Sequence, residues 1–172
     1  MEHLYAPWRM AYIRGEKSED GGCVFCQAPA HPDAEALIVV RGVHQYVILN
    51  RYPYNSGHLL VVPYAHVSTP EALTPDALLE GVELTNRALA ALRTVYRPPA
   101  FNLGANIGAA AGAGIAAHYH FHIVPRWPGD ANFMTAVGET RVLPDMLDNT
   151  WRELQSAWAA TDDPATHSNK DE

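Results

Sequence analysis

The chain has 172 residues, of which 48% are apolar and 18% charged, with a formal net charge of −7. That is enough for one domain with a sizeable core and too little for two of ordinary size. No run of about 18 consecutive apolar residues is present to cross a bilayer, the opening MEHLYAPWRMAYIRG lacks the apolar stretch of a secretory signal, and an acidic balance argues against nucleic acid as a partner.

In chain order, residues 1–22 read as irregular. Residues 37–40 and 43–49 are β-rich runs around Arg41-Gly42, which predicts a hairpin. Residues 51–57, RYPYNSG, carry turn chemistry, and residues 58–63, HLLVVP, predict a third strand. A long helix follows, with Thr74 as N-cap, Pro75 in the first position and Asp76 and Glu80 near its positive end. Leu78, Val82, Leu89, Leu92 and Tyr96 recur at helical spacing and predict its buried stripe, and Pro98-Pro99 ends it. Residues 101–107 and 119–125 predict the fourth and fifth strands, residues 144–159 a C-terminal helix carrying Met146, Leu147, Leu154 and Trp158, and residues 161–172 a disordered tail. One long helix among hairpin-length connections implies an α+β domain over residues 1–160, built on a mainly antiparallel five-stranded sheet.

Nine histidines is the compositional oddity, and three of them, His118, His120 and His122, alternate within five residues. On a strand, alternation places the three imidazoles on one face and sends Tyr119, Phe121 and Ile123 to the core. Packing does not call for such a row, since leucine would serve better. Just upstream, Gly108, Gly112 and Gly114 lie in a small-residue loop whose backbone amides could approach an anion. A neutral imidazole beside a phosphate site is a competent nucleophile at pH 7, and its phosphoramidate gives the phosphoryl group up again. A metalloenzyme using all three histidines as ligands is the alternative chemistry.

HYHFHIV resembles the signature of the histidine triad (HIT) superfamily, three histidines alternating with apolar residues. Residues 50–58, NRYPYNSGH, followed by LLVVP, resemble that family's upstream strand–turn–strand, and Asn106-Ile-Gly108 its phosphate-contacting segment. The resemblance covers residues 23–127 and implies a nucleotide-binding α+β fold, usually a homodimer; only two cysteines and no secretory signal predict a cytoplasmic protein. The resemblance implies His120 as the nucleophile that forms a nucleotidyl-histidine, His122 as a phosphate contact, His58 as the additional histidine beside the triad, Asn50 on the ribose and Asn106 on the phosphate. Family members often carry Gln, Ser or Thr three or four residues before the first triad histidine. Gly114 and Ile115 stand there instead, with no side-chain donor. A leaving group that departs as a stable anion needs less acid assistance, which favours dinucleoside polyphosphates over phosphoramidates. Residues 125–134, PRWPGDANFM, and residues 6–10, APWRM, are similar to the bacterial diadenosine tetraphosphate phosphorylase branch. The competing readings are a nucleotide-binding regulatory protein with weak or no catalysis and a hydrolase that uses water as acceptor. Arg51, Arg126 and Lys17 could steer a polyphosphate, and Trp127 and Phe133 could stack on a base or pack at an interface.

Cys23-Val-Phe-Cys26 has the spacing of a zinc knuckle or a redox pair. A redox pair would want a helix starting at the first cysteine, and Gln27-Ala-Pro-Ala-His-Pro is poor sequence for one; two unliganded buried thiols are the third possibility. The resemblance implies a structural zinc completed by His66 and His118, with His31 and His44 as less favoured ligands.

Overall fold

The computed structural model describes residues 22–130 and 146–161. The segment at residues 6–10, Lys17, Phe133 and residues 162–172 lie outside them. Five strands form one sheet in the order β1-β2-β3-β5-β4, with every neighbouring pair antiparallel: β1 (Ile38–Arg41), β2 (Gln45–Leu49), β3 (Leu59–Pro63), β4 (Ala100–Gly104) and β5 (Phe121–Arg126). Two one-turn helices, α1 (Val24–Gln27) and α2 (Asp33–Ala36), precede the sheet. The long helix α3 (Pro75–Tyr96) lies between β3 and β4, and α4 (Leu147–Ala160) closes the described chain. No helix of the described residues is long and apolar enough to cross a membrane.

β2 and β3 are buried along their whole length, as strands in the interior of the sheet. Register assigns the faces: Tyr46 lies opposite Val62, Ile48 opposite Leu60 and Leu60 opposite His122, whereas Leu49, Leu59 and Ile123 share the other side. α3 packs against β2, β3 and β5 on that second side and α4 against α3 and β1. The Trp151 indole of α4 donates to the Ile38 carbonyl at 2.8 Å.

α3 starts as its sequence predicts, with the Ala77 amide donating to Thr74 Oγ1 at 3.3 Å and Pro75 in the first turn. Its buried stripe agrees in part: Leu92 is fully buried and Leu89 and Tyr96 pack against the core. Ala77, Leu84, Ala88, Ala91 and Leu92 face the core, while Leu78 and Val82 are exposed. Small residues let the helix sit close on the sheet, so close contact rather than bulk chooses the inward side. At Gly81 an added Cβ would come within 2.5 Å of the Gln45 side chain, and Gly57, at φ +72°, would meet Leu92 at 2.8 Å. Glu80 does not stay at the helix end: its carboxylate accepts the amides of Val43, His44 and Gln45 at 2.6–2.8 Å and secures the β1–β2 turn.

Three further elements differ from the sequence reading. β4 ends at Gly104, because β5 offers partners only from Arg126 back to His122. β5 begins at Phe121, so His118 and His120 precede the ladder; Ile123 is fully buried while Tyr119 and Phe121 are only partly so. A helix does begin at the first cysteine: Cys23 caps α1, and its carbonyl accepts the Cys26 and Gln27 amides at 3.0 and 3.1 Å. One turn needs no propagating sequence behind it, so the prolines downstream do not forbid it.

Candidate active site and metal centre

The sheet face opposite α3 carries an open cleft of ≈ 530 Å³, within the range of small-ligand sites. Ile48, Leu60 and His122 supply its floor, Val24 and Phe25 of α1 one wall, and Asn106, Gly114 and Ile115 the segment leading to the histidines. His120 and Asn50 also line it.

Hydrogen bonds assign a different role to each histidine. The His120 Nδ1–H donates to the His118 carbonyl at 2.9 Å, which leaves Nε2 with the lone pair. Burial holds His120 below the usual histidine range, against the opposing effect of that bond, so the ring is neutral at pH 7. His58 Nδ1 accepts the Tyr54 amide at 3.0 Å and faces Asn50 Nδ2 at 3.3 Å, so its proton sits on Nε2. His58 Nε2–H then donates to His122 Nδ1 at 2.9 Å, which makes His122 Nε2 an N–H donor. A lone pair on His120 and a donor on His122 thus stand on one cleft, their ring centroids 4.9 Å apart. Such a pair can attack an electrophilic phosphorus and hold one of its oxygens.

His118 faces away from this chemistry. Its Nε2–H donates to the Pro63 carbonyl at 2.9 Å, and its Nδ1 lies 3.3 Å from Cys23 Sγ and 3.5 Å from Cys26 Sγ. Cys26 Sγ is 3.2 Å from His66 Nδ1, and the four donor atoms lie within 4.8 Å of one another. Ligands around a tetrahedral zinc stand roughly 3.3–3.8 Å apart, so this donor set fits one Zn²⁺ in a closed, structural geometry. The Pro63 carbonyl fixes the tautomer that presents Nδ1 to the ion, as outer partners of metal-bound histidines do. Burial and the adjacent Cys23 push the Cys26 thiol up, so a metal ion binding here displaces a proton from it. His31 belongs to the cleft wall and not to this cluster, and His44 is in neither.

The glycine loop reaches the cleft in part. Gly114 lines the cleft, but Gly108 and Gly112 are not on its wall. The Ala111, Gly112 and Ala113 amides donate to carbonyls of Gly108 and Ala109 within the loop itself. Arg126 is engaged by Asp130 at 2.6 and 2.8 Å and by Asn102 at 2.6 Å, and Arg51 donates to the Glu35 carbonyl. Three contributors were invisible to sequence patterning. The Tyr54 ring stacks on His122 with planes 9° apart and centroids at 5.7 Å. Phe25 packs on His120 at 4.8 Å. Asp130 accepts Asn55 Nδ2 at 3.0 Å and so ties the turn ahead of His58 to the end of β5. None follows a periodicity; the position of Phe25 between the two cysteines was the one available signal.

Residues 31–129 match the HIT domain model, and the chain belongs to the HIT family. It is 42% identical over 166 residues to the AP-4-A phosphorylase of Mycobacterium tuberculosis, covering 92% of this chain and 85% of that protein. A crystal structure of a Zn-bound histidine triad family protein from Mycobacterium smegmatis superposes with TM-score 0.65 at 28% identity, over 82% of this chain and 96% of that one. A hypothetical histidine triad nucleotide-binding protein from Sulfolobus tokodaii shares the fold, with TM-score 0.67 at 22% identity over 87% and 100% of the two chains.

Proposed function

We propose that this protein is a nucleotidyl transferase that cleaves dinucleoside polyphosphates through a covalent His120 intermediate. The observation that carries the reading is the pairing of tautomers on the cleft, a lone pair on His120 Nε2 and a donor on His122 Nε2. His120 Nε2 attacks the α-phosphorus of diadenosine tetraphosphate. The P–N bond forms as the bond to the bridging oxygen breaks, and ATP leaves. An oxygen of inorganic phosphate then attacks the same phosphorus, the P–N bond breaks, and ADP is released. His122 holds a phosphate oxygen, His58 keeps His122 in its donor tautomer, Asn50 binds the ribose and Asn106 the phosphate. Gly114 offers its amide. The Cys23, Cys26, His66 and His118 site holds a structural zinc. The 42% identity to an AP-4-A phosphorylase supports the choice of substrate.

Ile115 on the cleft wall favours phosphate over water. Its side chain has no donor with which to orient a neutral water, whereas a phosphate dianion suits backbone amides such as that of Gly114. The same residue supports a second reading, a nucleotide-binding protein with weak turnover. Incubation with diadenosine tetraphosphate, with and without phosphate, separates the two. Phosphate-dependent ADP and ATP, and an acid-labile AMP adduct when phosphate is omitted, are expected. Equal release of AMP and ATP under both conditions identifies a hydrolase, and no turnover identifies the binding protein. The reading includes a cytoplasmic homodimer, supported by β4 as an edge strand with Leu103 exposed. A monomer by solution scattering at micromolar concentration contradicts that.

A further inference from the structure

The cluster of two cysteines and two histidines is not remote from the cleft. Its cysteines are the first and last residues of the segment Cys23-Val-Phe-Cys26, and the two residues between them, Val24 and Phe25, are cleft wall. Three segments of chain meet at this cluster: α1, the loop after β3 through His66, and the start of the histidine run through His118. The last two are also joined by the Tyr119 amide donating to the Val67 carbonyl at 2.6 Å.

Two short routes run from the cluster to the cleft. One is the main chain of His118: its ring offers Nδ1 to the cysteines while its carbonyl accepts the His120 Nδ1–H at 2.9 Å. The other is the Phe25 ring, which lies 5.4 Å from the His118 ring and 4.8 Å from the His120 ring. A helix of a single turn does not hold itself together in water. α1 is otherwise held by the buried Phe25 side chain and by the Tyr46 hydroxyl, which donates to the Phe25 carbonyl at 2.7 Å.

We infer that this metal site is a positioning element of the nucleotide cleft, so that metal and nucleotide each tighten the binding of the other. A metal ion joining Cys23 and Cys26 to His66 and His118 fixes the wall that a nucleotide must otherwise order on arrival. Ordering done once benefits both ligands, and the coupling is reciprocal by thermodynamic necessity. The inference rests on the proposed nucleotide-binding role of the cleft and goes beyond it, because a zinc that merely stapled the fold would leave nucleotide affinity unchanged.

AMP and Zn²⁺ are the probes, since AMP binds without reacting. Calorimetric titration of AMP into zinc-loaded and chelator-stripped protein is expected to show an affinity loss of about 10-fold on stripping, restored by one equivalent of Zn²⁺. Chelator competition on the loaded, folded protein is expected to show zinc held about 10-fold more tightly in saturating AMP. This second arm decides the matter if the stripped protein unfolds. Phe25→Leu should retain one zinc and shrink the effect of AMP on zinc retention. Zinc retention indifferent to AMP, with AMP demonstrably bound, overturns the inference alone. Failure of the zinc-loaded protein to bind AMP overturns the nucleotide reading and this inference with it.

Discussion

His118 and His120 are two residues apart and both buried, yet they belong to different chemistries. His118 gives its Nε2–H to the Pro63 carbonyl and keeps its Nδ1 lone pair for the cysteines. His120 gives its Nδ1–H to the His118 carbonyl and keeps its Nε2 lone pair on the cleft. One backbone carbonyl in each case chooses which nitrogen stays basic, and so separates a metal ligand from a nucleophile. Burial lowers the proton affinity of both rings and keeps both lone pairs available at pH 7.

The contrast is broken most severely by His120→Ala. Removing the nucleophile should lower kcat by about 10³-fold or more while AMP still binds, because the floor of Ile48, Leu60 and His122 remains. Activity within tenfold of the parent would sink the mechanism. On the metal side, Cys26→Ser should take zinc from one per chain to none by metal analysis. It should lower Tm by about 5–10 °C, the equivalent of roughly 2–3 kcal/mol for a domain of this size. An unchanged Tm in a variant that has lost its zinc would mean that the metal does not support the fold, and a parent protein free of metal would mean that these thiols hold no zinc.

Smaller effects sharpen the boundary between the two ends. His58→Ala removes the group that holds His122 as a donor, so kcat should fall about 10- to 100-fold with zinc content unaffected. Equal kcat in parent and variant would show that His122 needs no such partner. Tyr54→Leu removes the ring stacked on His122, whereas Tyr54→Phe keeps it. The leucine variant should lose a few-fold in kcat, consistent with about 0.5–1.5 kcal/mol for an aromatic pair, and the phenylalanine variant should match the parent. A phenylalanine variant as impaired as the leucine one would assign the effect to the hydroxyl.

How much of this was legible follows from what kind of interaction carried it. The alternating histidines, the CxxC spacing, the Thr74–Pro75 helix start and the five strands are local signals, and the structure has them within a few residues of their expected places. The inward side of α3 is legible only in part: Leu89, Leu92 and Tyr96 face the core, but Leu78 and Val82 give way to Ala88 and Ala91, because contact distance to the sheet, set by distant residues such as Gln45, favours small residues. Composition marks the glycine loop as rich in amides but does not show that those of Ala111, Gly112 and Ala113 donate within their own turn. Tyr54 and Asp130 act through contacts that only the folded turn creates, so no spacing announces them.

The overhang of β3 has a further consequence. β3 pairs with β5 only from Leu59 to Val61, which leaves the Pro63 carbonyl beyond the ladder and able to receive His118. Inserting or deleting one residue between His118 and His122 would turn every side chain on one side of the change to the opposite face. His122 would exchange places with a core residue, or His118 would leave its carbonyl and its cysteines. The spacing of two is therefore a ruler laid between two binding sites. The loop upstream is under no such constraint from the cleft, since Gly108 and Gly112 are not on its wall and an added Cβ at either would meet nothing within 4 Å.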